Sequence, residues 1–204
     1  MDCEFVDNAG PGMVADGGDG GYSAFERCRF HGTTYWSAWP RRPALRFDDC
    51  TFLGSVPQPF GSPDPALATR FVRCRFADPP EAPGGVFRST ALLEVDGDNV
   101  LFDGCRVDAH LTRGLYVDGG GSREVLRATT VVHRHAGLPP GDFQSLVRGA
   151  RLEDVHFEEA FPPGAVGGWY VVAEGVQITG AVRVDGPNVR WGAPGGPVGR
   201  IAGG

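Results

Sequence analysis

Phe25-Glu26-Arg27-Cys28-Arg29-Phe30 sets the frame of this chain because it recurs. It returns as Phe47-Asp48-Asp49-Cys50-Thr51-Phe52 and as Phe71-Val72-Arg73-Cys74-Arg75-Phe76. A fourth copy, Phe102-Asp103-Gly104-Cys105-Arg106-Val107, ends in Val, and a half-copy, Cys3-Glu4-Phe5, opens the chain. The copy from Leu126 to Val131 has Thr129 in the Cys slot, and the copy from Leu152 to Phe157 has Val155 there. A degenerate last copy places Val176 and Ile178 in the Cys and second-Phe slots. All five cysteines thus occupy one slot of one repeat.

The slot residues 3, 28, 50, 74, 105, 129, 155 and 176 stand 21 to 31 residues apart, a period that belongs to solenoids and propellers. Apolar residues fall at slot −3, slot 0 and slot +2. The step from 0 to +2 has the period of a strand with both side chains on one face. The odd step of three marks a bend between two short strands. Gly and Pro fill the intervals, and helical periodicity is nearly absent. A propeller blade needs about 40 residues, and the Leu-x-x-Leu-x-Leu pattern of leucine-rich repeats is missing. The expected fold is all-β: a parallel β-helix solenoid of about eight rungs in one domain, residues 1–204, with a Gly/Pro-rich tail from 192.

The segment from Leu93 to Val107, Leu-Glu-Val-Asp-Gly-Asp-Asn-Val-Leu-Phe-Asp-Gly-Cys-Arg-Val, resembles the right-handed parallel β-helix repeats of the pectate-lyase-like superfamily. Gly114-Leu115-Tyr116-Val117-Asp118-Gly119 resembles a strand of the same superfamily. The resemblance spans roughly residues 3 to 192. It implies fold more than function, because that superfamily includes lyases, hydrolases, epimerases, phage tail proteins and inert scaffolds. Pentapeptide-repeat proteins also set Cys two residues before a Phe, but their strict five-residue continuation is absent.

The 204 residues suffice for one sizeable core. The 32 glycines and 17 prolines, set in a repeat, read as turn chemistry at rung corners. A net charge of −6 with interleaved signs carries no basic nucleic-acid stripe. No apolar run is long enough for a membrane helix, and the first residues lack a signal-peptide pattern. A soluble, cytoplasmic protein is expected, unless an upstream signal segment is missing. The chain opens in mid-repeat, so the expectation is a fragment of a longer chain, an upstream domain, or a homo-oligomer that covers the first rung.

Stacked at equivalent slots, the cysteines form an inward ladder and act as small hydrophobes. No Cys-x-x-Cys or Cys/His cluster suggests a metal. The Asn8–Tyr22 stretch, with Asp16-Gly17-Gly18-Asp19-Gly20-Gly21, reads as a flexible turn. Its carboxylates leave Ca²⁺ as the one cofactor to consider.

Chemistry is sought at the corner that follows each Cys-x-Phe strand, where every long excursion emerges. Tyr35, Trp36 and Trp39, followed by Arg41 and Arg42, concentrate aromatic faces and guanidinium groups. They close the coil or stack on planar ligands such as sugar rings. The same edge is expected to hold His31, His110, His133, His135 and Glu158-Glu159, with His133 and His135 flanking Arg134 as an acid–base candidate near neutral pH. Slot −1 and slot +1 residues, including Arg27, Asp49 and Arg73, form a surface charge ladder. Asp48-Asp49 is similar to the paired aspartates of the related hydrolases, which makes Asp49 a catalytic candidate. Adjacent strand residues, however, point to opposite faces, and the hydrolases' other signature segments are missing. Two functions follow from this reading. One is a recognition or scaffold module that binds a polysaccharide or a protein partner along the loop-decorated edge. The other is a carbohydrate-active lyase or hydrolase.

Overall fold

The computed structural model describes residues 2–8, 13–16, 23–36, 38–41, 43–57, 59, 61–78, 88–95, 99–110, 112–118, 124–134, 143–160, 169–185 and 189–191. They form a parallel β-solenoid with almost no helix. A single 3₁₀ turn at Pro65–Leu67 is capped by Asp64, whose side chain accepts from the Ala66 N–H.

Each turn runs along three faces. Face one carries slot −3 and stacks Ser23–Glu26, Leu45–Asp48, Thr69–Val72, Val100–Asp103, Val125–Arg127, Arg151–Glu153 and Gln177–Ile178. Face two carries slots +1 and +2. It stacks Glu4–Asn8, Arg29–Trp36, Thr51–Pro57, Arg75–Ala77, Arg106–Ala109, Thr130–His133, Val155–Glu159 and Val182–Asp185. Face three stacks Arg88–Val95, Thr112–Asp118, Phe143–Arg148, Trp169–Glu174 and Val189–Trp191. It begins against the far end of Thr51–Pro57, where Val56 pairs with Leu93. Met13–Asp16 and Ala38–Arg41 pair with each other as a separate ribbon, so part of the stretch read as a flexible turn is strand, and residues 9–12 and 17–22 of it lie outside the described residues.

The solenoid makes about four turns, not eight. Four successive turns, 69–95, 100–118, 125–148 and 151–174, contribute a strand to each face, with every strand paired on both sides. Motif copies outnumber these turns because a copy spans only faces one and two. Before Arg88 the third side is supplied by the far end of Thr51–Pro57 and by the separate ribbon, and the last turn is paired on one side only.

The motif spacing follows from the corner between faces one and two. Slot −1 adopts the left-handed conformation in the six copies from Phe25 to Phe157: Arg27, Asp49, Arg73, Gly104, Ala128 and Asp154 have φ between 46° and 64°. One left-handed residue turns the chain sharply, so slot −3 and slot 0 both face inward across an odd step. The corner N–H reaches forward instead of being lost: Asp49 N–H donates to the Val72 carbonyl and Arg73 N–H to the Asp103 carbonyl, at 2.9 and 2.7 Å. Slot +1 reaches back, the Arg75 N–H donating to the Cys50 carbonyl and the Arg106 N–H to the Cys74 carbonyl, both at 2.9 Å.

Two phenylalanine columns fill the interior. Phe25, Phe47, Phe71 and Phe102 stack from face one with successive centroids 5.0, 4.9 and 5.0 Å apart. Phe5, Phe30, Phe52 and Phe76 stack from face two at 5.0, 4.9 and 4.9 Å. The columns meet edge-to-face, as between Phe47 and Phe52 at 5.4 Å and 74°. Such ring pairs add roughly 0.5–1.5 kcal/mol each beyond burial itself.

The five cysteines are free thiols, buried from Cys28 onward. They also hydrogen-bond: Cys74 Sγ donates to the Phe47 carbonyl at 3.3 Å and Cys105 Sγ to the Phe71 carbonyl at 3.3 Å. Thr129, in the same slot, donates to the Arg127 carbonyl at 2.9 Å. The slot therefore takes a small side chain, and where that is Cys or Thr it also satisfies a carbonyl, whereas Val155 only packs.

The last copy is displaced from its expected register. Ile178 pairs with Leu152 in the slot −3 column, and Val184 pairs with Phe157 in the second-Phe column. Val176 stacks beyond Ala150 at the start of face one, not in the Cys slot. The copy runs instead from Ile178 through Val182 to Val184, with one extra residue between its first two slots, and Gly180 makes room for that residue. A Cβ at Gly180 would lie 2.7 Å from Asp154 Oδ1, the atom that accepts from the Ala181 N–H at 2.9 Å.

Candidate functional site

The left-handed corner decides how the slot −1 and slot −2 side chains meet. In a regular strand Asp48 and Asp49 would face opposite ways, as the sequence spacing implies. With φ of 53° at Asp49, both line one open cavity of about 520 Å³ together with Glu26, Arg27, Arg46 and Arg73. Three acidic and three basic side chains thus share one cavity.

Its carboxylates are clamped. Arg46 donates to Asp48 from Nε at 2.5 Å and from its terminal nitrogen at 2.9 Å. Arg73 donates to Asp49 through two hydrogen bonds of 2.8 Å. Arg27 turns instead to Asp2, at 2.5 Å. Hydrogen bonding from Arg73, with its charge behind it, holds the Asp49 carboxyl below its ordinary value, and the same pair raises the Arg73 guanidinium. Bidentate guanidinium–carboxylate pairs combine charge with a fixed planar geometry. The corner therefore presents oriented charges that stay charged at neutral pH. A general acid needs the reverse, a carboxyl raised toward the working pH.

Face two supplies a second surface. Its outer side carries Arg29, Thr51, Arg75 and Arg106 in one column, paired strand to strand. Beside them an open groove of about 370 Å³ is lined by Arg29, Thr51, Leu53, Arg75, Ala77 and Asp78. Asp78 is buried and turned toward His110: it accepts from the His110 backbone N–H at 2.7 Å, and His110 Nδ1 lies 3.3 Å away. The imidazole is 40% exposed and the carboxylate side chain 0%. Asp78 thus orients His110 at the groove end.

The described histidines do not gather on one edge. His133 is wholly buried, since the strand period of two continues to slot +4 and puts it on the same side as Val131. Its Nε2 lies 2.7 Å from Ser145 Oγ, and that oxygen accepts from the Leu115 N–H at 2.9 Å. Gly114 admits the pair, because a Cβ there would come within 3.0 Å of Ser145 Oγ and 3.2 Å of His133 Nε2. Burial pushes the imidazole down to about 3, opposed in part by a hydrogen bond with the Glu158 backbone. His133 is a neutral core residue in the native protein, not a solvated loop histidine.

Arg134 is exposed and donates from Nε to Asp108 at 2.7 Å, one turn away. His135 and Arg42 lie outside the described residues, so the acid–base trio expected around Arg134 reduces here to a buried His133 and an ion-paired Arg134. His31 is half-buried on face two, opposite Leu53. The aromatic stretch is strand, not loop: Tyr35 and Trp36 end Arg29–Trp36, and Trp39 and Arg41 belong to Ala38–Arg41. Trp36 pairs with Ser55 and Trp39 with Val14 through the backbone. Their side chains lie outside what is described.

One imidazole–carboxylate contact is not among the expected site residues. His156, in slot +1, places Nε2 2.8 Å from Asp185 Oδ2. That hydrogen bond, with a second from Arg183, holds the Asp185 carboxyl below its ordinary value. The signal was the column itself, since His156 and Asp185 stand two residues apart in slot on neighbouring strands. Among the described residues no group of three or more His, Cys, Asp or Glu side chains is arranged to hold a metal ion. No described helix is long and apolar enough to cross a membrane. The chain matches no family model, no curated protein and no solved structure.

Proposed function

We propose that this chain is a recognition module: a stiff β-solenoid that presents fixed charges on its corner and outer faces to an extended polysaccharide or a protein partner. The observation that carries this reading is the pair of clamped aspartates, Asp48 with Arg46 and Asp49 with Arg73. Carboxylates locked by guanidinium groups keep fixed positions and charges, which suits recognition by charge complementarity, and Asp49, held below its ordinary value by Arg73, is a poor proton donor. Kinship with the pectate-lyase-like β-helices and a right-handed coil belong to the same proposal. So does cytoplasmic residence, which suits five reduced thiols.

A second reading, a carbohydrate-active lyase or hydrolase, draws on one observation. The buried Asp78 orients a half-exposed His110 beside a groove lined with arginine, and a carboxylate-held imidazole is a general-base arrangement. Both readings are tested by titrating acidic and neutral polysaccharides, with and without Ca²⁺. Tryptophan fluorescence reports binding, while ultraviolet absorbance and reducing ends report products. Binding without product supports the module. Product that disappears in His110→Gln replaces it with the enzyme.

A further inference from the structure

The groove on face two has a construction that the corner cavity lacks. Arg29 and Arg75 flank Thr51 on successive parallel strands, about two strand spacings or ~9.6 Å apart at the backbone. Leu53 and Ala77, both nearly buried, form its floor. Arg29 has only a distant carboxylate, Glu4 at 3.7 Å. Arg75 has no ion pair with any described residue; Arg106, which follows it in the same column, has Asp108 at 3.9 Å. The one carboxylate lining the groove, Asp78, is buried and engaged by His110.

Stacked guanidinium groups with no carboxylate between them repel each other, which costs stability unless a ligand anion neutralises them. One planar carboxylate is satisfied by a single arginine fork. Two forks with a hydroxyl between them match a tetrahedral oxyanion, which offers three acceptor oxygens and more charge. The geometry points to an oxyanion subsite in which Arg29, Thr51 and Arg75 bind a phosphate or sulfate ester, whose apolar carrier lies over Leu53 and Ala77. This deepens the recognition reading and rests on face two being a binding surface.

Backbone amide NMR titrations test it, with inorganic phosphate, inorganic sulfate and acetate as probes at constant ionic strength. Phosphoserine and glucose 6-sulfate then separate the two ester sources. Saturable shifts confined to the Thr51, Leu53, Arg75 and Ala77 amides are expected with phosphate or sulfate, and none with acetate. Arg75→Gln should weaken binding about tenfold or more, the scale of losing a hydrogen bond to a charged group. Thr51→Val should weaken it less, and both variants should keep the dispersed spectrum of the parent. Response to one ester only identifies the source and supports the site. Acetate shifts as large as those of phosphate, no saturable shift, or unchanged affinity in Arg75→Gln would each overturn it. A polysaccharide or partner that binds Arg75→Gln as well as the parent removes this subsite and leaves the module reading in place.

Discussion

The Cys74 thiol donates to the carbonyl oxygen of Phe47, 3.3 Å away in the preceding turn. The same bond joins Cys105 to Phe71 at 3.3 Å and Cys50 to Phe25 at 3.5 Å. Each thiol thus links the corner of one turn to the phenylalanine column of the one before it. Burial, then hydrogen bonding with Cys105, pushes the Cys74 thiol well above its ordinary value. For Cys50 the hydrogen bond with Cys74 leads and burial follows, in the same direction.

Because the thiolate is the reactive form, these cysteines should be inert in the native state. Ellman's reagent at pH 8 should leave Cys50 and Cys74 unmodified until denaturant is added, then count all five. The threonine in this slot at 129 gives a second expectation. Cys74→Thr should cost under about 1 kcal/mol, while Cys74→Ala, which loses the hydrogen bond and leaves a small void, should cost about 1–2 kcal/mol in urea melts. Equal costs would remove the hydrogen bond from the explanation.

The left-handed corners give a backbone prediction. Ala128 holds φ of 46° and Gly104, in the same slot one turn earlier, 64°. A non-glycine residue there is strained by about 1 kcal/mol. Ala128→Gly should therefore raise stability by about 0.5 kcal/mol, after the greater freedom of glycine in the unfolded chain is subtracted. Gly104→Ala should lower it by about the same 0.5 kcal/mol, since strain and unfolded-chain entropy enter with reversed signs. Chemical denaturation of both variants measures the pair, and signs the other way round would deny that this corner sets the frame.

His133 makes stability depend on pH in a definite window. Its native pKa is depressed to about 3 from 6.5, so below 6.5 the unfolded chain binds a proton that the native state refuses. Stability should fall as the pH drops from about 6.5 toward 3, by about 1 kcal/mol per pH unit from this group alone. His133→Gln, which can still meet Ser145, should start less stable at pH 7 and close the gap by pH 5. A gap that stays constant between those pH values would place a charged imidazole in the core.

Much of this architecture is legible in the sequence. The step from Cys28 to Phe30 marks a strand, the step from Phe25 to Cys28 marks a bend, and their recurrence marks the solenoid. What hides is the means of bending. Arg27, Asp49, Arg73 and Ala128 hold a conformation that glycine fills only at 104, so no residue type flags the corner. The bend also brings Asp48 and Asp49 into one cavity, against the strand rule. The position of His133 was available from parity with Val131, but the Gly137-Leu138-Pro139-Pro140 run that follows reads as loop and draws the histidine with it. The turn count was harder still, because the motif marks two faces and the third has no signature of its own. In the last turn a single inserted residue, accommodated at Gly180, breaks the frame between Ile178 and Val184, so the spacing fits Val176 and Ile178 instead and assigns them the wrong slots.

Whether the corner recognises a ligand or transfers protons turns on one titration, that of the Asp49 carboxyl followed by carbon NMR. A native pKa below the ordinary aspartate value, returning toward it in Arg73→Ala, is the expected result and fixes Asp49 as a permanent charge. A native pKa above that value, in the range of a working general acid, would contradict the recognition module and make this corner a site of catalysis.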